Sequence, residues 1–186
     1  MELVAKYDDQ TLKLRTAISE DASYLLKWWN DGDIMAHAGF PLGLNITEEQ
    51  VLKNIVKSCE TKQLLIMQLD GIPFGEMSYT IDGNNADFGI KICIPTMRGQ
   101  GIGELALTTL FEYLFSLGIE KITCDTNLNN KGSQNFYENK MGMRKVKVCE
   151  NCWKNQLGEL QSTVFFEITK NEFEQTKNPI ITPSKM

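Results

Sequence analysis

No stretch of the sequence approaches the ~20 consecutive apolar residues that a membrane helix needs. The opening nine residues have neither the basic nor the apolar region of a signal peptide. Basic charge is in deficit, with 19 Lys and Arg against 24 Asp and Glu and a formal charge of −5. That balance argues against a general nucleic-acid binder. The five cysteines (Cys59, Cys93, Cys124, Cys149, Cys152) are odd in number and lack the spacing of a secreted disulfide scaffold. No repeat or low-complexity tract occurs. These absences predict a cytoplasmic protein with no membrane and no nucleic-acid partner. What is present is an ordinary globular composition, 42% hydrophobic and 23% charged, over 186 residues. A core of that size needs neither disulfide nor metal to fold. One domain over residues 1–177 and a loose tail over 178–186, with Pro179 and Pro183, are expected.

Residues 13–16 read as a short first strand. Ser19 stands at a helix N-cap with Glu20 and Asp21 in the first turn, and the helix should end near Trp29. A loop over 32–46, with Pro41 and three glycines, is long enough to suspect a function. Thr47 and Gln50 form a capping box, behind which Val51, Leu52, Ile55, Val56 and Cys59 fall on one helical face. Residues 64–69 and 72–81 read as a hairpin turned at Asp70-Gly71, and a period-two strand runs from Phe88 to Ile94. A long helix carries Ile102, Ala106, Leu110, Leu114 and Leu117 and closes at Gly118. A strand over 121–126, a helix over 131–140, strands near 145–148 and 162–168, and a last helix capped by Thr169 and Glu172 complete the order. The fold class is α/β, a mixed sheet flanked by helices rather than a simple alternating array.

The chemistry concentrates in a glycine loop, Arg98-Gly99-Gln100-Gly101-Ile102-Gly103, between a strand and the long helix. Glycines let the backbone approach a ligand closely, and the free N–H groups of a helix's first turn favour a diphosphate. A turn that merely packs helix on sheet is the plainer alternative. No Walker sequence follows the loop. Gly101-x-Gly103-x-x-Ala106, with Asp125 as a ribose-binding acid, satisfies a dinucleotide fingerprint. Against it, residues 95–98 separate the strand from the first glycine, and too little chain remains for a dinucleotide domain.

The pattern Arg98-x-x-Gly101-x-Gly103 resembles the acetyl-coenzyme A signature of the GNAT superfamily of N-acetyltransferases. Asn130-x-x-Ser133-x-x-x-Tyr137-Glu138, closed by Gly142, resembles the second half of that signature. Two departures exist: Gly142 lies one residue further from Tyr137 than is usual, and Met143 replaces an aromatic. The resemblance implies a mostly antiparallel twisted sheet in which one parallel strand pair splays to admit the pantetheine arm. It also implies direct acetyl transfer from acetyl-CoA to an amine in a ternary complex, with no metal. Ile92, Cys93 and Ile94 would then offer a free strand edge to the arm. The loop from Arg98 to Gly103 would meet the diphosphate, and Asn130 would hold the arm near its end. Tyr137 is the implied general acid; Asp125, then Asp87, then Glu76 are the candidate bases, and a water relay remains open.

Trp28, Trp29, Asp31, Asp33, His37 and Phe40 cluster where relatives bind the acceptor, and aromatics with carboxylates suit a cationic amine. Core packing of the tryptophans and capping by the aspartates are the plainer readings. Cys149-x-x-Cys152 has no second pair or nearby histidine, so no zinc or redox site is expected. Within the family, the chain is similar to aminoglycoside 6′-N-acetyltransferases and to the enzymes that acetylate ribosomal-protein N-termini. A small-molecule amine is the expected acceptor; a protein N-terminus or a non-catalytic acyl-CoA sensor are the alternatives. A homodimer is expected by analogy alone.

Overall fold

A computed structural model describes residues 1–177; the expected loose tail, 178–186, lies outside the described residues. Strands β1 (Glu2–Tyr7) and β2 (Gln10–Thr16) form an opening hairpin that turns at Asp8, whose φ is +50°. Only the end of β2 is legible beforehand. As an edge strand β1 is at most half-buried, and Val4 on it is 56% exposed, so its apolar alternation carries little contrast.

A 3₁₀ turn over Ser19–Asp21 leads into α1 (Ala22–Trp29). Ser19 does not act as the cap expected of it. The Asp21 carboxylate accepts the Ile18 N–H at 2.8 Å and two guanidinium bonds from Arg15 at 2.7 Å. The predicted loop over 32–46 contains a short helix, α2 (Gly32–Met35), capped by Asp31. Helix α3 (Glu48–Ile55) starts at the expected Thr47–Gln50 box. It stops at Ile55, which leaves Val56 79% exposed and Cys59 outside the face assigned to it.

Strands β3 (Lys62–Leu69), β4 (Ile72–Asp82) and β5 (Asn85–Ile92) form a meander. Helix α4 (Ile102–Ser116), β6 (Lys121–Asn127), α5 (Lys131–Asn139), β7 (Arg144–Lys154), β8 (Leu160–Thr169) and α6 (Lys170–Lys177) follow. The sheet has the order β1-β2-β3-β4-β5-β6-β8-β7. All neighbours are antiparallel except β5 and β6. No helix among the described residues is long and apolar enough to cross a membrane.

One face of the sheet packs α4 and α6 through Leu107, Leu110, Phe111, Leu114 and Phe173. The other is covered in part by α1–α3, where Leu25, Trp28, Trp29 and Val51 bury against Ile66 and Cys93. Burial of each such side chain contributes roughly 1.5–3 kcal/mol.

Candidate active site

The parallel pair holds for only three residues: Asn85, Ala86 and Asp87 stand against Lys121, Ile122 and Thr123. Beyond them β5 turns toward β4, with which it stays paired to Ile92, while β6 stays with β8 to Asn127. The strands therefore part, and the sheet opens. A cleft of about 950 Å³ fills the opening, bordered on β5 by residues from Phe88 to Ile92 and on β6 by Asp125, Thr126 and Asn127.

At one end lies the glycine loop. Gly99 and Gly101 have φ of +74° and +86°, and a Cβ on either would meet nothing within 4 Å, so their surface faces open space. The N–H groups from Gly99 to Glu104 have no protein acceptor among the described residues. Six such donors follow one another along the loop, three of them in the first turn of a long helix, an arrangement that fits a diphosphate. The Arg98 Nε donates to the Ile92 carbonyl at 2.9 Å, which ties the loop to the end of β5. Gly103 packs closely, since a Cβ there would sit 3.1 Å from Ile92 Cδ1. Gln100 and Ile102 offer only their backbone: the Gln100 carbonyl accepts from the Tyr7 hydroxyl, and Ile102 is fully buried. The Asn130 side chain accepts from the Ser133 N–H at 3.1 Å and caps α5, which brings Ser133, Phe136, Tyr137 and Lys140 to the cleft wall.

Cys93 and Ile94 do not extend the free edge as expected. Both N–H groups donate to the Phe74 carbonyl, Cys93 is buried in the second core, and neither borders the cleft. Burial, reinforced by the Glu76 carboxylate, pushes the Cys93 thiol up to about 12. Cys124, beside Tyr137, is pushed up by burial as well. Neither thiol has nucleophilic character at neutral pH.

Tyr137 is 6% exposed, borders the cleft, and its hydroxyl has no protein partner among the described residues. Burial raises its phenol, with help from Cys124 and the Asp125 and Asp87 carboxylates, so it stays protonated. Asp125 borders the same cleft, and burial lifts its carboxyl above the ordinary range. Asp87 stands on the same sheet face but outside the cleft wall. It accepts from the Thr123 hydroxyl at 3.2 Å, and burial together with Asp125 raises its carboxyl against that bond. Glu76 is buried, accepting from Trp29 Nε1 and Lys91 Nζ, each at 2.9 Å. Of the three carboxylates only Asp125 faces the opening.

The cleft is also bordered by Asp33, Ile34, His37, Ala38, Trp153 and Thr163. The acceptor residues expected from sequence divide here. Asp33 and His37 border the cleft, whereas Trp28 and Trp29 are core residues on the inner side of α1. Asp31 is spent on capping α2, and Phe40 lies off the cleft. Trp153, which follows directly on the Cys149-x-x-Cys152 pair, carries no motif in the sequence that marks it as a cleft residue. The two thiols are free, with Cys152 Sγ donating to the Cys149 carbonyl at 3.1 Å.

The model of the acetyltransferase (GNAT) family matches residues 2–143. No curated protein matches in sequence. Among solved structures, RimL, a ribosomal L7/L12 alpha-N-protein acetyltransferase in complex with coenzyme A, is similar with a TM-score of 0.77. It is 14% identical over 89% of this chain and 97% of that one. A GNAT-family acetyltransferase from Bacillus anthracis has a TM-score of 0.75 and 20% identity over 92% and 99% of the two chains. The Salmonella typhimurium enzyme that modifies the N-terminal serine of L7/L12 has a TM-score of 0.73 and 15% identity over 85% and 94%. At such identities the likeness establishes the fold. With the family model spanning most of the sequence, the chain belongs to the acetyltransferase (GNAT) family and is an acetyl-CoA-dependent N-acetyltransferase.

Proposed function

We propose that the protein acetylates a primary amine of a small molecule, with the two substrates meeting in the gap between β5 and β6. The observation that supports this reading is the pairing across one cleft of a protonated phenol, Tyr137, with a carboxylate, Asp125. The free N–H groups from Gly99 to Glu104 hold the diphosphate of the coenzyme, and the open edge of β5 up to Ile92 lies along its arm. Asp125 takes a proton from the incoming ammonium, directly or through water, because only a neutral amine attacks a carbonyl carbon. As the new C–N bond forms and the C–S bond breaks, the attacking nitrogen sheds its second proton to water, Tyr137 gives its proton to the departing sulfur, and the phenol recovers one from solvent. Asp33 and Asp125 supply the negative charge that draws a cationic acceptor to the far end of the cleft.

A protein N-terminus is the second reading, favoured by the fold shared with RimL. Thiol release from acetyl-CoA, followed with amino acids, polyamines, aminoglycosides and short peptides, separates the two. Turnover confined to small amines is expected. Turnover confined to peptides would replace this reading with the second. Coenzyme binding without turnover on any class would point to an amine outside this panel or to an acyl-CoA sensor.

A further inference from the structure

One residue outside the cleft fastens two distant segments across the acceptor end. Gln156 donates its backbone N–H to the Gly39 carbonyl at 2.8 Å and its Nε2 to the Gly43 carbonyl at 2.9 Å, and its Oε1 accepts the Leu42 N–H at 3.0 Å. All three bonds join loop 39–43 to the connection between β7 and β8. That connection is itself braced. Asn155 Oδ1 accepts the N–H groups of Leu157 and Glu159, both at 3.0 Å, and Asn155 N–H donates to the Glu159 carbonyl at 3.0 Å.

Beneath the loop lies Trp153, held by a 2.8 Å bond from its Nε1 to Thr163 Oγ1. Its ring comes so close to Gly39 that a Cβ there would stand 2.4 Å from Cζ3, and Gly39 has a φ of +95°. A side chain at position 39 is thus excluded twice, by contact and by backbone. His37 and Ala38, immediately before Gly39, border the cleft, as do Trp153 and Thr163. His37 and Ala38 lead directly into loop 39–43, which is held on one side by Phe40 N–H to the Met35 carbonyl at 3.1 Å and Leu44 N–H to the Trp29 carbonyl at 2.7 Å, and on the other by Gln156.

We propose that Gln156 is a positioning residue, a latch that holds loop 39–43 down on Trp153 and limits the acceptor end to an amine on a slender chain. Released, the loop lifts from the indole and the end widens enough for a peptide. The proposal rests on the assignment of this end of the cleft to the acceptor. It adds the residue that sets the acceptor's width.

The test compares wild type, Gln156→Ala and Gln156→Glu, using spermidine and a short peptide with a free N-terminal serine. In Gln156→Ala the Leu42 amide should exchange with solvent at least tenfold faster. Coenzyme A affinity should stay within twofold. The peptide's kcat/KM relative to that of spermidine should rise at least tenfold, chiefly through KM. Gln156→Glu keeps an acceptor for Leu42 and should protect that amide and shift the ratio less. Unchanged Leu42 exchange, or an unchanged ratio, would overturn the latch. A parallel loss of coenzyme A affinity would also overturn it, making Gln156 a general stabiliser. Wild type that prefers the peptide, or turns over neither probe, would instead contradict the small-amine reading; in the second case the Leu42 amide alone decides the latch.

Discussion

Burial gives the two groups facing the gap opposite uses. A half-desolvated carboxylate holds its proton more tightly, so Asp125 is a better base once ionised than an exposed aspartate. The acid limb of kcat/KM should then lie above the ordinary carboxylate range of about 4. Activity disappears as pH falls through that raised value, and Asp125→Asn should remove the limb while lowering kcat by about 10²–10⁴-fold. The same desolvation makes a second prediction with the opposite sign. A carboxyl whose folded value lies above its unfolded value costs stability once pH has risen past both. Asp125→Asn should therefore raise Tm at pH 7, as measured by thermal melts; a lowered Tm would count against a desolvated carboxylate. Arg98 and the loop glycines stand out in the sequence because a close backbone approach restricts a loop to few residue types at fixed spacing, whereas Asp125 and Tyr137 stand out only through the resemblance to a family pattern. Trp28 and Trp29 mislead for the converse reason: large aromatics serve a core and a binding site equally, and only the direction of α1 decides. Trp153 has no such signature at all.

At the scale of elements, the parting of β5 from β6 matters more than any single helix. Gly103 lets the start of α4 lie against Ile92, so Gly103→Val should push the loop from the strand and raise KM for acetyl-CoA, leaving KM for the amine nearly unchanged. Steady-state kinetics with each substrate varied in turn would check this, and equal rises in both constants would contradict it. Helix α6 begins with a reciprocal box in which Glu172 accepts the Thr169 N–H at 2.8 Å and its own N–H reaches Thr169 Oγ1 at 3.3 Å. Thr169→Ala should cost about 1 kcal/mol in denaturant unfolding. Capping boxes, tight turns and long periodic helices are legible because their signals lie within a few residues, as at Thr47, Asp70-Gly71 and Gly118. Strand β1 is not, since half-burial blurs its period. The end of β5 is also hidden: the apolar alternation continues to Ile94 while the backbone has already turned both amides to Phe74. The length of β7 is obscured by its irregularity between Cys149 and Trp153, where Asn151 takes a φ of +49°.

Across the whole molecule, one face of the sheet is closed by a large core and the other is closed only where α1–α3 reach. The parting strands connect the two sides, so the glycine loop and the wall of His37, Ala38 and Trp153 border one passage. Because the loop amides are already free of protein acceptors among the described residues, coenzyme binding should stabilise the fold with little rearrangement. At 100 times Kd a ligand contributes about 2.7 kcal/mol. In a chain of this size that raises Tm by roughly 5–10 °C. Gly103→Val should lose most of the shift. The role of Tyr137 is tested most directly by comparing wild type and Tyr137→Phe for thiol release from acetyl-CoA with a reactive amine, at matched coenzyme saturation. A kcat about 10²–10⁴-fold lower in the variant, with KM for acetyl-CoA little changed, is the result expected of a proton donor. A kcat within a few-fold of wild type would contradict it and leave Tyr137 as packing between α5 and the sheet.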